Sequence, residues 1–136
     1  MMNDSLNALL TVRTLLATIE KQATEVLNSL ETKVTLNELY VLYFLDQADG
    51  LPLRINDLSI KLKLSQSATS RMLTRFENTC GVITRKKDEQ DKRSVRISLT
   101  SHRQDLLAQV QAKLAPVLAE YTPILKGLEE WSKNAR

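Results

Sequence analysis

Arg85-Lys86-Lys87-Asp88-Glu89-Gln90-Asp91-Lys92-Arg93-Ser94-Val95-Arg96-Ile97-Ser98-Leu99-Thr100 sets a charged turn between two β-like runs. Val82-Ile83-Thr84-Arg85, after Gly81, and Ser94-Val95-Arg96-Ile97-Ser98-Leu99 alternate as strands do, and the Asp, Glu, Gln and Lys between them suit a turn. The stretch therefore predicts a β-hairpin with cations at its tip. Arg93 is the long cation best placed to enter a minor groove, where negative potential is strong. Asp91 then either orients that arginine or simply forms the turn.

Working back along the chain, the hairpin follows a helix full of Ser, Thr and Arg. Ser65 is placed to cap that helix, and Ala68, Met72, Leu73 and Phe76 give it an apolar stripe of period 3.6. Ser67, Ser70, Arg71, Thr74 and Asn78 then face outward, with Gln66 and Arg75 on the borders. Hydroxyls, an amide and arginines without Lys-Glu pairs suit hydrogen bonding to base edges and phosphates better than an idle solvent face. Asn56 is expected to cap a shorter helix through Leu62, with only Lys63 and Leu64 before Ser65, so two helices meet at a tight turn. Leu53 to Ile55 allows a one-rung strand. Thr35-Leu36-Asn37-Glu38 is a capping box for a helix carrying Leu39, Tyr40, Leu42, Tyr43, Phe44 and Leu45, and Asp49-Gly50-Leu51-Pro52 stops it.

Charge follows the same division. The chain carries a net +3, too little by itself to argue for nucleic acid. Residues 53–100, however, hold 11 basic and 5 acidic side chains, a net +6, while residues 35–52 hold 3 acidic and no basic ones.

Both ends read as interaction helices. Leu9, Val12, Leu16, Ile19, Ala23, Val26 and Leu30 alternate spacings of three and four, as do Leu107, Val110, Leu114, Val117, Tyr121, Ile124, Leu128 and Trp131. Leu6, Leu10, Leu27, Leu106, Leu118 and Leu125 widen these seams beyond what a small winged domain covers, and a homodimer joined through both ends is the expected solution. Its interface would include Leu9, Leu16, Ile19, Leu114, Tyr121, Leu128 and Trp131; the alternative is packing of the two helices within one chain. Pro116 and Pro123 fall off the seam and are expected to kink the C-terminal segment or split it.

The expected fold is mainly α with a small β-hairpin wing, a winged helix-turn-helix domain plus N- and C-terminal dimerisation helices. One domain spans 1–136, with the DNA-binding part at 35–100 and dimerisation helices at 4–31 and 101–132. At 136 residues and 43% hydrophobic, the chain suits one modest core. No run reaches the roughly 18 to 20 apolar residues of a membrane span, and Met1-Met2-Asn3-Asp4-Ser5 has no secretory features, so a cytoplasmic location is expected. One cysteine, Cys80, excludes an internal disulfide and a multi-cysteine zinc site. There is no phosphate-cradling glycine loop and no nucleophile with a plausible base, so an enzyme is not expected and neither is a cofactor or catalytic residue.

Asp88 to Thr100 resembles the D-x-x-D-x-R-x-x-x-x-x-L-T wing of the MarR family of bacterial transcriptional regulators, and Leu64-Ser65-Gln66-Ser67-Ala68-Thr69-Ser70-Arg71 resembles its recognition-helix opening. The order of elements agrees over nearly the whole chain. The resemblance implies a triangular homodimer that binds pseudo-palindromic operators in duplex DNA and often releases them when a small molecule or oxidant enters the cleft between its dimer and DNA-binding regions. It points to a transcriptional regulator, most simply a repressor. The recognition-helix set would be Ser65, Gln66, Ser67, Ser70, Arg71, Thr74 and Arg75. The wing set would be Arg85, Lys86, Lys87, Asp91, Lys92, Arg93 and Arg96. A dimeric adaptor that kept the fold without operator binding is the alternative, against which the basic wing speaks.

Two places depart from the family pattern. The family's L-T-x-x-G becomes Leu99-Thr100-Ser101-His102-Arg103, and Phe76-Glu77-Asn78-Thr79-Cys80-Gly81 is one residue longer than L-E-x-x-G. Redox-sensing members carry a reactive cysteine in the N-terminal helix, which is absent here. Cys80 reads as a packing residue, although Arg85 nearby would lower its pKa. His102 is the sole histidine, so no metal site is expected. Arg13, Tyr40, Tyr43 and His102 are the candidates for a cleft that takes an anionic aromatic effector.

Overall fold

Thr35 opens its helix as the capping box requires: the Glu38 amide donates to Thr35 Oγ1 at 3.2 Å and the Thr35 amide to Glu38 Oε1 at 2.9 Å. The computed structural model describes residues 2–90 and 94–135, so Asp91, Lys92 and Arg93 lie outside the described residues. Its elements run α1 (Met2–Asn28), α2 (Leu36–Gln47), β1 (Leu53–Arg54), α3 (Ile55–Leu62), α4 (Gln66–Cys80), β2 (Ile83–Lys87), β3 (Val95–Leu99), α5 (Arg103–Ala119) and α6 (Thr122–Asn134). The antiparallel sheet has the order β1-β3-β2. This is the winged helix-turn-helix arrangement, mainly α with a small sheet.

Local chemistry explains most boundaries. Ser65 Oγ accepts from the Ala68 amide at 3.0 Å and caps α4. Lys63, with φ 58°, makes the left-handed turn between α3 and α4. The first of these helices starts two residues earlier than its sequence suggests. Arg54 occupies the N-cap position without a side-chain capping bond, and Asn56 sits in the first turn, where its Oδ1 accepts from Gln66 Nε2 at 2.7 Å. A long-range amide pair has replaced a local cap. At the other end of α4, the residue in excess of the family spacing is absorbed as helix through Cys80, and Gly81 then adopts φ 63°, a left-handed cap open to glycine at no steric cost.

The core lies where α2, α3, α4 and the sheet meet, around Leu42, Leu45, Leu58, Leu73, Phe76 and Ile97. On α4 the buried stripe is Thr69, Met72, Leu73 and Phe76. Thr69 takes the place expected of Ala68, which is only half-buried, because its hydroxyl is satisfied inside by donating to the Ser65 carbonyl at 2.8 Å.

The terminal helices are covered within the chain only in part. The later part of α1 packs against α5 within the chain, where Ile19, Ala23 and Leu27 are buried, as is Leu30 just past the helix end, and Tyr121 Oη lies 3.1 Å from Gln22 Oε1. Ile19 is thus already covered without a second copy. Leu9, Val12 and Leu16 on the earlier part stay exposed, as do Ile124, Leu128 and Trp131 on α6, with Leu9 at 65% and Trp131 at 69%. Leu114 and Tyr121 are half-buried. The C-terminal segment is split rather than kinked. Pro123 falls at the start of α6, where its missing N–H costs nothing, while Pro116 is carried inside α5.

Candidate nucleic-acid interface

On α4 the outward face carries Ser65, Gln66, Ser67, Arg71, Thr74 and Arg75, all exposed, with Ser70 half-buried. Ser67, Arg71 and Arg75 make no side-chain hydrogen bond or ion pair among the described residues, so their donors are available to a partner. Thr74 and Gln66 are partly engaged. Thr74 Oγ1 donates to the Ser70 carbonyl at 2.9 Å, and the Gln66 amide is held by Asn56. Helix and wing thus share one face of the molecule, with a groove of about 400 Å³ between them.

The wing residues separate into outward cations and internal braces. Lys86 and Lys87 are exposed. Arg85, expected to face DNA, turns back instead. Its Nη2 donates to the Ser70 carbonyl at 2.6 Å and to Thr74 Oγ1 at 2.7 Å, while its amide donates to Glu77 Oε2 at 2.9 Å. Arg96 is tied to Asp88, whose Oδ2 accepts from Arg96 Nε at 3.0 Å and Arg54 Nη2 at 3.3 Å. Asp88 is 7% exposed, and its Oδ1 accepts the Gln90 amide at 3.0 Å. That amide bond, followed by the bond and charge of Arg96 and the charge of Arg54, holds the Asp88 carboxyl below its ordinary pKa against the opposing effect of burial. Reading the sequence missed both Asp88 and Arg54. The acidic start of the turn and the strand before α3 are 34 residues apart, and only the β1-β3 pairing brings them together.

The four residues considered for an effector are not one site. Tyr40 and Tyr43 line an apolar groove of about 490 Å³ between α2 and α5, with Leu107 and Leu114 on the opposite wall. Arg13 lines a separate depression along α1, and His102 a third beside Glu31, Cys80 and Asp105. Burial, then the charge of Glu20, raises the Tyr40 pKa. Burial pushes the Cys80 pKa up, and Arg85 is committed to α4 rather than to the sulfur. Among the described residues no group of three or more His, Cys, Asp or Glu is placed to hold a metal, and no helix is long and apolar enough to cross a membrane.

A three-stranded wing against a helix-turn-helix, flanked by long terminal helices, defines a class of DNA-binding fold. Residues 34–95 match the model of the MarR family. AbsC, a MarR family transcriptional regulator from Streptomyces coelicolor, superposes with a TM-score of 0.80 at 23% identity, covering 96% of this chain and 88% of its own. A mutant MarR from E. coli complexed with operator DNA gives 0.78 at 20% identity, covering 99% and 97%. Reduced AbfR bound to DNA gives 0.75 at 22% identity, covering 98% and 94%. At these identities the likeness is one of fold, shared over nearly the whole chain. No curated protein sequence matches the chain significantly.

Proposed function

We propose that this protein is a sequence-specific transcriptional regulator, acting as a repressor, that binds a pseudo-palindromic operator as a homodimer. The observation that carries the reading is the unpartnered set Ser67, Arg71 and Arg75 on α4, set beside the exposed Lys86 and Lys87 of the wing. Hydroxyl and guanidinium groups on a helix suit base edges, and lysines on a hairpin suit phosphates. That the similar MarR and AbfR structures hold DNA supports the same use of this face.

Dimerisation is supported by the exposed apolar residues at the start of α1 and along α6, which a lone chain leaves in water. Two domains at fixed spacing would read half-sites roughly 34 Å apart. An effector in the α2-α5 groove would loosen or stiffen the link between these ends and the DNA-binding part. The groove's walls are apolar apart from Asp46, Gln111 and the tyrosine hydroxyls, and they include no cation, so an uncharged apolar compound suits it better than an anion.

The test is affinity for the promoter of the protein's own gene at two salt concentrations. A dimer touching about 6 to 10 phosphates loses affinity steeply with salt, at a slope of about −0.9 per contact in log-log form. Absence of binding to any duplex would leave the adaptor reading in its place.

A further inference from the structure

We infer that Arg54 is an additional phosphate contact, held at the mouth of the groove between recognition helix and wing by Asp88, a positioning residue. This rests on the DNA-binding reading above. Arg54 and Arg96 are directly opposed across β1 and β3, a like-charge pair that is unfavourable by itself. The nearly buried Asp88 carboxylate lies between them, bonded to both guanidiniums on the same oxygen. Two cations and one anion leave this triad with a single surplus positive charge.

That charge is directed by geometry. Arg96 is the more enclosed, at 33% against 46% for the Arg54 side chain, and gives both Nε and Nη2 to Asp88. Arg54 gives only Nη2, so its other N–H groups are without partners among the described residues. They lie on the wall of the 400 Å³ groove, with Asn56, Gln66, Ser70 and Val95 around it. A recognition helix in the major groove and a wing in the adjacent minor groove leave one strand of the DNA backbone passing between them, where this groove lies. Asp57 also lines it and repels a phosphate, so the attraction depends on Arg54.

The experiment measures binding of the full chain to a labelled mixed-sequence duplex of about 30 base pairs between about 50 and 200 mM KCl, with wild type, R54Q, R54K and D88N. R54Q should bind about tenfold more weakly. Its log-log salt slope should be shallower by about 1.8, from one lost contact in each half of a dimer. R54K, which keeps the charge, should recover the slope. D88N removes a negative charge and, by net charge alone, should bind more tightly; a positioning role makes it bind more weakly instead. An R54Q slope equal to wild type, or tighter binding by D88N, overturns the inference. If D88N proves unfolded by circular dichroism, the R54Q slope alone decides. Failure of wild type to bind any duplex would strike the DNA-binding reading itself, whereas normal wild-type binding with an unchanged R54Q removes only Arg54.

Discussion

Arg85 Nη2 donates to the main-chain carbonyl of Ser70 at 2.6 Å, so β2 of the wing is bonded directly to the backbone of α4. With the Thr74 and Glu77 bonds, the two reading elements are held together as one body. Arg85→Ala removes a mostly buried charged donor and should cost about 1.5 to 3 kcal/mol in chemical denaturation. Lys86→Ala, at an exposed position, should stay within about 0.5 kcal/mol. Equal effects from the two would show that Arg85 braces nothing.

The open face of α4 should carry sequence preference. Arg71→Ala should change affinity at particular inner base pairs by about 1 to 3 kcal/mol, whereas Lys87→Ala should weaken all duplexes alike and flatten the salt dependence. Titrations against a set of single-base-pair variants separate the two patterns. Arg93→Ala should weaken all sites or relax preference only at A·T-rich flanks.

Assembly can be tested without damaging the fold, because Leu16 and Leu128 are both exposed in the single chain. Replacing both with Asp should leave a folded monomer, removing about 1.5 to 3 kcal/mol of association per leucine that the interface buries fully. Sedimentation should show half the wild-type mass, and operator affinity should fall with it, since two linked domains no longer share the cost of docking. A double variant that remains dimeric would place the interface elsewhere.

Acid should loosen the wing through Asp88. Its folded pKa lies below the ordinary carboxylate value, so its contribution is fully present above that value and is lost as pH falls through the lower, folded one. Wild type should therefore exceed Asp88→Asn in stability by a constant margin near neutrality, and the margin should shrink on acidification below the ordinary carboxylate range. Denaturation of both proteins across that range provides the comparison; a margin independent of pH would mean that the carboxylate charge is not what matters.

The local signals in this sequence were strong and the long-range ones silent. Thr35 and Ser65 announced their helices because a cap acts within three residues, and the hairpin strands announced themselves by alternation. Asn56 misled because its side chain serves Gln66, ten positions away, rather than its own helix. Arg85 misled similarly, since a cation on a strand next to a basic turn reads as a surface group until the strand is laid against α4. The seam of α1 showed an apolar face but not who covers it: the same three-four spacing continues from exposed Leu9 to buried Ala23. Tyr40 and Tyr43 line one groove while Arg13 and His102 line two others, because spacing along a chain does not report separation across helices.

The base of the hairpin is fastened independently of its tip. The Thr100 amide donates to the Val82 carbonyl at 2.7 Å and its hydroxyl to the Gly81 carbonyl at 2.8 Å, joining the end of α4 to the approach to α5. Everything from Ile83 to Leu99 is therefore a closed excursion whose entry and exit are pinned side by side. Residues added to its turn cost only the slowly growing entropy of a longer loop, about 0.6 kcal/mol for each doubling. They need not disturb the helices on either side. On the proposed DNA-binding reading, the wing's reach could thus be retuned by insertion or deletion at the turn, leaving α4 and the helices at the chain ends in their places.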